Sequence, residues 1–285
     1  MLGSIIGDIA GSYLEVLEIK ALKTLEQKRS YEERIKILDE NTPLFNKNSS
    51  CTDDSNLTCA IADAVINNKN YEATLKEYAL KDLENGLDKY GRSRYGSNFV
   101  SWVKGEVEGI SYGNGSAMRI APIGYLFDDI NTIKEQVKLA TIPSHNNIEA
   151  IKGAECVAIT IYLARNNFKK EEIKKYIEDN YYKLDYDLED LQRNYKFSAI
   201  CSTSVPQALY CFLISNDFID AIRKSLSIGG DSDTIACIVG GISEAYYGIP
   251  EDIKTEVQEY IPEHMKDILI NFYSKMTIKK LQKIL

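Results

Sequence analysis

The stretch Gly229-Gly230-Asp231-Ser232-Asp233-Thr234-Ile235-Ala236-Cys237-Ile238-Val239-Gly240-Gly241 joins a glycine pair to two carboxylates and then to an apolar run. Ile235, Ile238, Val239, Ile242 and Tyr246 recur at three- and four-residue steps, which gathers them on one face of a helix. Asp231 and Asp233 therefore fall in the turn that opens this helix. There Asp is a favoured cap, and free backbone N–H groups favour its ionised form. The glycines in front permit the dihedrals of a tight approach. Taken alone, such a turn needs no explanation beyond helix capping.

A second acidic turn changes that reading. Thr52-Asp53-Asp54-Ser55 precedes Leu57, Ala60, Ile61, Ala64 and Val65, again a helical stripe entered through a hydroxyl and two carboxylates. If the two helix starts converge, four carboxylates and two or three hydroxyls share one pocket. Four anions stay ionised together only beside cations, so convergence implies one or two hard metal ions with oxygen ligands. Neither thiolate nor imidazole ligation is suggested, which favours Mg²⁺ or Mn²⁺ over zinc.

Working outward, the same helical periodicity recurs from end to end and strand-like alternation is hard to find. The expected fold is all-α, in one domain over residues 1–285. Gly3, Gly7 and Gly11, spaced by four, leave a bare helical stripe against which another helix can pack. Glu15 is expected just past the end of that helix, on a mobile loop. Residues 24–50, rich in charge, Asn and Ser, read as a short surface helix and a loop. Residues 71–87 read as an amphipathic helix ending at Gly86. The loop Tyr90-Gly91-Arg92-Ser93-Arg94-Tyr95-Gly96 could meet phosphate or be a solvated turn.

Ser111-Tyr112-Gly113-Asn114-Gly115-Ser116-Ala117-Met118-Arg119 carries glycines at alternate positions, so that backbone N–H groups can approach an anion. Ser144 is expected to cap the helix that carries Ile148, Ile151, Val157, Ala158 and Ile161. His145, beside it, serves either as a local hydrogen-bonder or as a ligand contact. His264 is assigned to the surface.

The 285 residues are 44% hydrophobic and 27% charged, as in an ordinary globular protein. A net charge of -8 argues against a nucleic-acid backbone or an anionic membrane as general partner. An anionic substrate could still bind locally, through metal and backbone N–H groups. Six cysteines without a C-x-x-C pair are expected as reduced core thiols, and two histidines are too few for a histidine-rich metal site. The start lacks a basic segment, meets Asp8 early, and no run is long enough to span a bilayer, so a cytoplasmic protein is expected; a monomer is the separate expectation for its assembly.

Taken in order, Gly7-Asp8 to Glu15, Thr52-Asp53-Asp54, Gly113-Asn114-Gly115-Ser116-Ala117-Met118-Arg119, Ser144-His145 and Gly229-Gly230-Asp231-Ser232-Asp233-Thr234 resemble the ADP-ribosylglycohydrolase family, of the dinitrogenase reductase-activating glycohydrolase type. The resemblance implies a compact orthogonal multi-helix bundle. It implies two Mg²⁺ ions, with Mn²⁺ as the alternative, held by Thr52, Asp53, Asp54, Asp231, Asp233 and Thr234. Glu15 matches a glutamate on a flap that can close over the metals. Ser111, Tyr112, Gly113, Asn114 and Gly115 look like the loop that holds the diphosphate and distal ribose, with His145 a neighbouring contact. The implied reaction hydrolyses the N- or O-glycosidic bond between ADP-ribose and a protein side chain or small-molecule acceptor. Asp54 or Asp233 would activate water, and Glu15 would orient substrate or move a proton. Ser55 departs from the second threonine that members often carry, but keeps the hydroxyl. The rival readings are a non-catalytic ADP-ribose or nucleotide binder, a di-metal phosphoesterase that cuts the diphosphate, and a purely structural bundle.

Overall fold

A computed structural model describes residues 1–24, 29–88 and 91–284. Residues 25–28 and Tyr90, assigned above to loop regions, lie outside the described residues. Along the chain run α1 (Leu2–Thr24), α2 (Tyr31–Ile35), α3 (Asp53–Asn67), α4 (Tyr71–Leu83), α5 (Ser97–Val103), α6 (Gly115–Met118), α7 (Ala121–Leu126) and α8 (Ile130–His145). They are followed by α9 (Ile148–Arg165), α10 (Lys170–Asn180), α11 (Leu188–Asn194), α12 (Cys201–Leu213), α13 (Phe218–Ser227), α14 (Ser232–Tyr247), α15 (Glu251–Glu256) and α16 (Glu263–Ile284). Among the described residues no strand forms. Two isolated bridges pair Ile110 with His145 and Gly113 with Ile200. The all-α expectation is met.

The bare stripe on α1 decides the packing. A β-carbon at Gly3 would collide with the Gly240 carbonyl, one at Gly7 with the Ala236 carbonyl, and one at Gly11 with the Ser232 carbonyl. As the position on α1 advances from 3 to 11, its partner on α14 retreats from 240 to 232, so the two helices lie antiparallel in backbone contact. The far end of the stripe therefore meets the start of α14, where Asp231 and Asp233 sit. α14 is buried from Ser232 through Ser243 and also packs on α9, α12 and α13. A helix apolar nearly all round belongs at the centre. α3 lies against α1, α4 and α16, which brings the second acidic turn to the same end of the α1–α14 pair.

Two expectations are corrected. Glu15 is inside α1 rather than on a loop beyond it. Gly11 is used for close packing and not as a C-cap, and nothing in Ser12-Tyr13-Leu14-Glu15-Val16 breaks the helix. Ser144 lies in the last turn of α8, and the cap of α9 is Asn147, whose side chain accepts from the Glu149 N–H at 2.9 Å. The Ser144 hydroxyl bonds instead to Arg119 and His145. All six cysteines are free thiols, five of them buried and Cys51 half-buried. No helix among the described residues is long and apolar enough to cross a membrane.

Candidate active site

α3 opens with Thr52 as its N-cap, the Thr52 Oγ1 accepting from the Asp54 N–H at 3.2 Å. What holds this turn in place is Asp8, on the buried face of α1. The Asp8 carboxylate accepts from the Thr52 N–H at 2.9 Å, the Thr52 hydroxyl at 2.7 Å, the Ser55 N–H at 3.1 Å and the Ser55 hydroxyl. Ser55 therefore does what a hydroxyl at that position is needed for. Burial raises the Asp8 carboxyl to about 6, against the pull of those four donors toward the ionised form. Motif spacing alone assigns Asp8 no role. Its place directly after Gly7 of the packing stripe is the one hint in the sequence, and it does not distinguish a buried acid from a solvated one.

The other turn is set by Gly229 and Gly230, both at positive φ (73° and 75°). A β-carbon on Gly229 would meet the Arg34 guanidinium, and one on Gly230 the Tyr195 ring. Buried Arg34 donates to the carbonyls of Ile228 (2.7 Å), Tyr195 (3.1 Å) and Gln192 (3.2 Å), and pairs with buried Glu18 at 3.4 Å. The charged segment assigned to surface helix and loop thus contributes a brace for the second acidic turn. Sequence could not reveal this, because its partners are backbone carbonyls more than 150 residues away.

The two turns meet. Carboxylate oxygens of Asp8, Asp54 and Asp233 lie within 4.8 Å of one another, as do those of Glu15, Asp231 and Asp233. Asp233 belongs to both groups. Thr52, Asp53, Asp54, Asp231, Asp233, Thr234 and Glu15 all line one cleft of about 990 Å³. Asp53 is in neither close group but faces the same cleft. Burial and mutual repulsion push the carboxyls of Asp53, Asp54 and Asp233 far above the ordinary range, and burial raises Asp231. Burial and neighbouring Asp231 raise Glu15 to about 7, although Arg92 pairs with it at 3.2 Å. Asp54 Oδ1 is buried without a hydrogen-bond partner among the described residues. An orphaned carboxylate oxygen among crowded acids fits a divalent cation with oxygen ligands.

Stability inherits a pH dependence from this crowding. Acids whose folded pKa exceeds the unfolded one bind more protons when folded, so without a cation stability falls as pH climbs from about 4 through about 7. Divalent ions replace those protons. Thermal scans with magnesium and with chelator are expected to show a larger ion-induced rise in melting temperature at pH 8 than at pH 5.5. An equal rise at both would contradict a cation at these carboxylates.

Of the expected substrate loop, Ser111, Gly113, Asn114, Gly115 and His145 line the cleft, while Tyr112 is 55% exposed and does not. Two N–H groups of this glycine-spaced loop are engaged within the protein. The Gly113 N–H donates to Ser111 Oγ at 3.0 Å and the Asn114 N–H to the Ala199 carbonyl at 2.9 Å. Asn114 instead reaches the acidic cluster, its Nδ2 donating to Asp231 Oδ2 at 2.7 Å. Arg92 of the Gly and Arg loop also faces the cleft, bound to Glu15 and, at 2.9 Å, to Asp88. His264 is exposed as expected.

The sequence model of the ADP-ribosylglycohydrolase family matches residues 1–280. Among relatives, an uncharacterised protein of Archaeoglobus fulgidus is 28% identical over 276 residues, covering 88% of each chain. Human ADP-ribosylhydrolase ARH3 is 26% identical over 199 residues, 53% of this chain and 55% of that one, so the match spans about half of that relative. ADP-ribosylarginine hydrolase Tri1 of Pseudomonas putida is 23% identical over 284 residues, covering 87% of this chain and 70% of that one. A solved structure, an ADP-ribosylglycohydrolase-related protein complex, superposes with a TM-score of 0.65 over 96% of this chain and 97% of that one. At 17% identity it speaks for the fold alone.

Proposed function

Because the chain belongs to the ADP-ribosylglycohydrolase family, we propose that residues 1–285 act as one domain that hydrolyses the bond between C1 of the distal ribose of ADP-ribose and a protein side chain or small-molecule acceptor, with two divalent ions, Mg²⁺ or Mn²⁺. The single observation that carries the reading is the meeting of two acidic helix starts in one cleft, with Asp233 common to both carboxylate groups.

Thr52, Asp53, Asp54, Asp231, Asp233 and Thr234 are the proposed ligands, and Asp8 holds the first turn in position from beneath. Ions bound there would fix the ribose hydroxyls and make a water more acidic. The chain supplies the rest. Asp54 or Asp233 takes the proton of the attacking water as C1 gains oxocarbenium character. Glu15, with its carboxyl near neutrality in pH, orients the substrate or passes a proton, and Arg92 restrains it. The loop residues Ser111, Gly113, Asn114 and Gly115, with His145, receive the diphosphate and distal ribose, and Tyr112 stands at the surface outside the cleft. Burial of the cluster lowers the local dielectric, which strengthens each of these interactions.

The test is product analysis. Proteins ADP-ribosylated through arginine or serine are incubated with this protein and magnesium, and the product is identified by mass. Free ADP-ribose is expected. Release of AMP would mean diphosphate cleavage, and binding without product would mean a silent binder.

A further inference from the structure

We infer that Arg119 and Ser144 fix His145 as a neutral imidazole carrying its hydrogen on Nε2, so that this nitrogen donates to an acceptor oxygen of the ligand. Arg119 is fully buried and can only donate. Its Nη2 donates to the Ala140 carbonyl at 3.2 Å and to Ser144 Oγ at 2.7 Å. Ser144 Oγ is also 2.7 Å from His145 Nδ1. With the arginine occupying a lone pair of Ser144, the hydroxyl hydrogen has Nδ1 as its acceptor among the described residues. Nδ1 is thus the bare nitrogen and Nε2 bears the hydrogen.

The alternatives each leave something buried and unpaired. An Nδ1–H would have to donate to Ser144 Oγ, and the hydroxyl hydrogen would then have no acceptor in a buried site. An imidazolium would add the same defect and a second positive charge beside Arg119. The surroundings of the ring agree: burial and the Arg119 charge hold the His145 pKa well below its usual value. The backbone is pinned as well, by the bridge to Ile110 and by the Asn146 N–H donating to the Gly109 carbonyl at 2.6 Å.

Nε2 has no partner among the described residues and faces the cleft beside two glycines. β-Carbons at Gly115 and Gly113 would stand 3.2 and 3.8 Å from it, so their absence keeps the space before this nitrogen open. A permanent donor there suits a phosphate or ribose oxygen, an assignment that rests on the proposed function. The tautomer itself does not.

The imidazole of ¹⁵N-labelled wild-type protein, free of ligand, is followed by ring ¹H–¹⁵N correlation spectra from pH 5.5 to 8. A protonated Nε2, a bare Nδ1 and no titration are expected. Ser144→Ala should give mixed tautomers and a lowered melting temperature, because the buried Arg119 guanidinium loses an acceptor, and ADP-ribose affinity of the folded variant measured by calorimetry should fall about tenfold, the worth of one charge-assisted hydrogen bond. Ser144→Thr, which keeps the hydroxyl, should retain the Nε2–H form. A wild-type ring protonated on Nδ1, a ring that titrates in this range, or an unchanged single tautomer in Ser144→Ala would overturn the inference. The expected tautomer in a wild-type protein that fails to bind ADP-ribose would instead overturn the proposed function.

Discussion

Replacing Asp233 by asparagine is expected to lower turnover by roughly 10²–10⁴-fold, the range of a positioned catalytic carboxylate, with the fold retained. Asp233 is shared by both carboxylate groups, so its charge bears on both proposed ion positions. Asparagine keeps the oxygen that accepts the Thr234 N–H at 2.9 Å, so the first turn of α14 survives. The stability signature is unusual in sign. Without divalent ions the variant should melt no lower than wild type, because one negative charge has left a crowded cluster. With magnesium the wild type should gain more, since ligand binding stabilises in proportion to affinity. The checks are the rate of ADP-ribose release and melting curves with and without magnesium. Near-wild-type turnover would remove the two-ion reading.

Gly7→Ala is expected to cost more than about 3 kcal/mol, beyond the usual range for overpacking a core. Ordinarily side chains yield to an added methyl group. Here the obstacle is the Ala236 carbonyl of a helix buried on every side, so two backbones would have to separate. Against a total stability of about 5–15 kcal/mol, that loss is large. Because Asp8 is the next residue and Asp233 lies one turn from the collision, divalent affinity should fall with stability. Urea unfolding measures the first and calorimetry with magnesium the second. Gly96→Ala is the control: a β-carbon there meets nothing, and little change is expected.

Much of the cleft is legible in the order of residues, and for one reason. Carboxylates at a helix start are adjacent along the chain, so Thr52-Asp53-Asp54 and Asp231-Ser232-Asp233-Thr234 each announce themselves locally. The all-α class and the glycine stripe on α1 follow from period and spacing, whereas the meeting of the two turns is a condition that only the fold meets. Asp8 and Arg34 do not announce themselves in this way. Each is a single charged residue in a helix, and its neighbours say little about whether it is a buried brace or a solvated side chain. Glu15 is expected beyond the helix because Gly11 has two uses, capping and close packing, and only the facing helix says which applies.

Sequence by itself determined the helical periodicity, the two acidic helix starts and the residues free of a β-carbon, because these are properties of neighbours along the chain. Tertiary structure decided that α1 and α14 run antiparallel in backbone contact, that Asp8 and Glu15 join the acidic turns, and which way the hydrogen bonds of Arg119, Ser144 and His145 point. Those depend on packing between segments more than 100 residues apart in the case of α1 and α14. There the burial of a charge or the exclusion of a methyl group is fixed by what lies opposite.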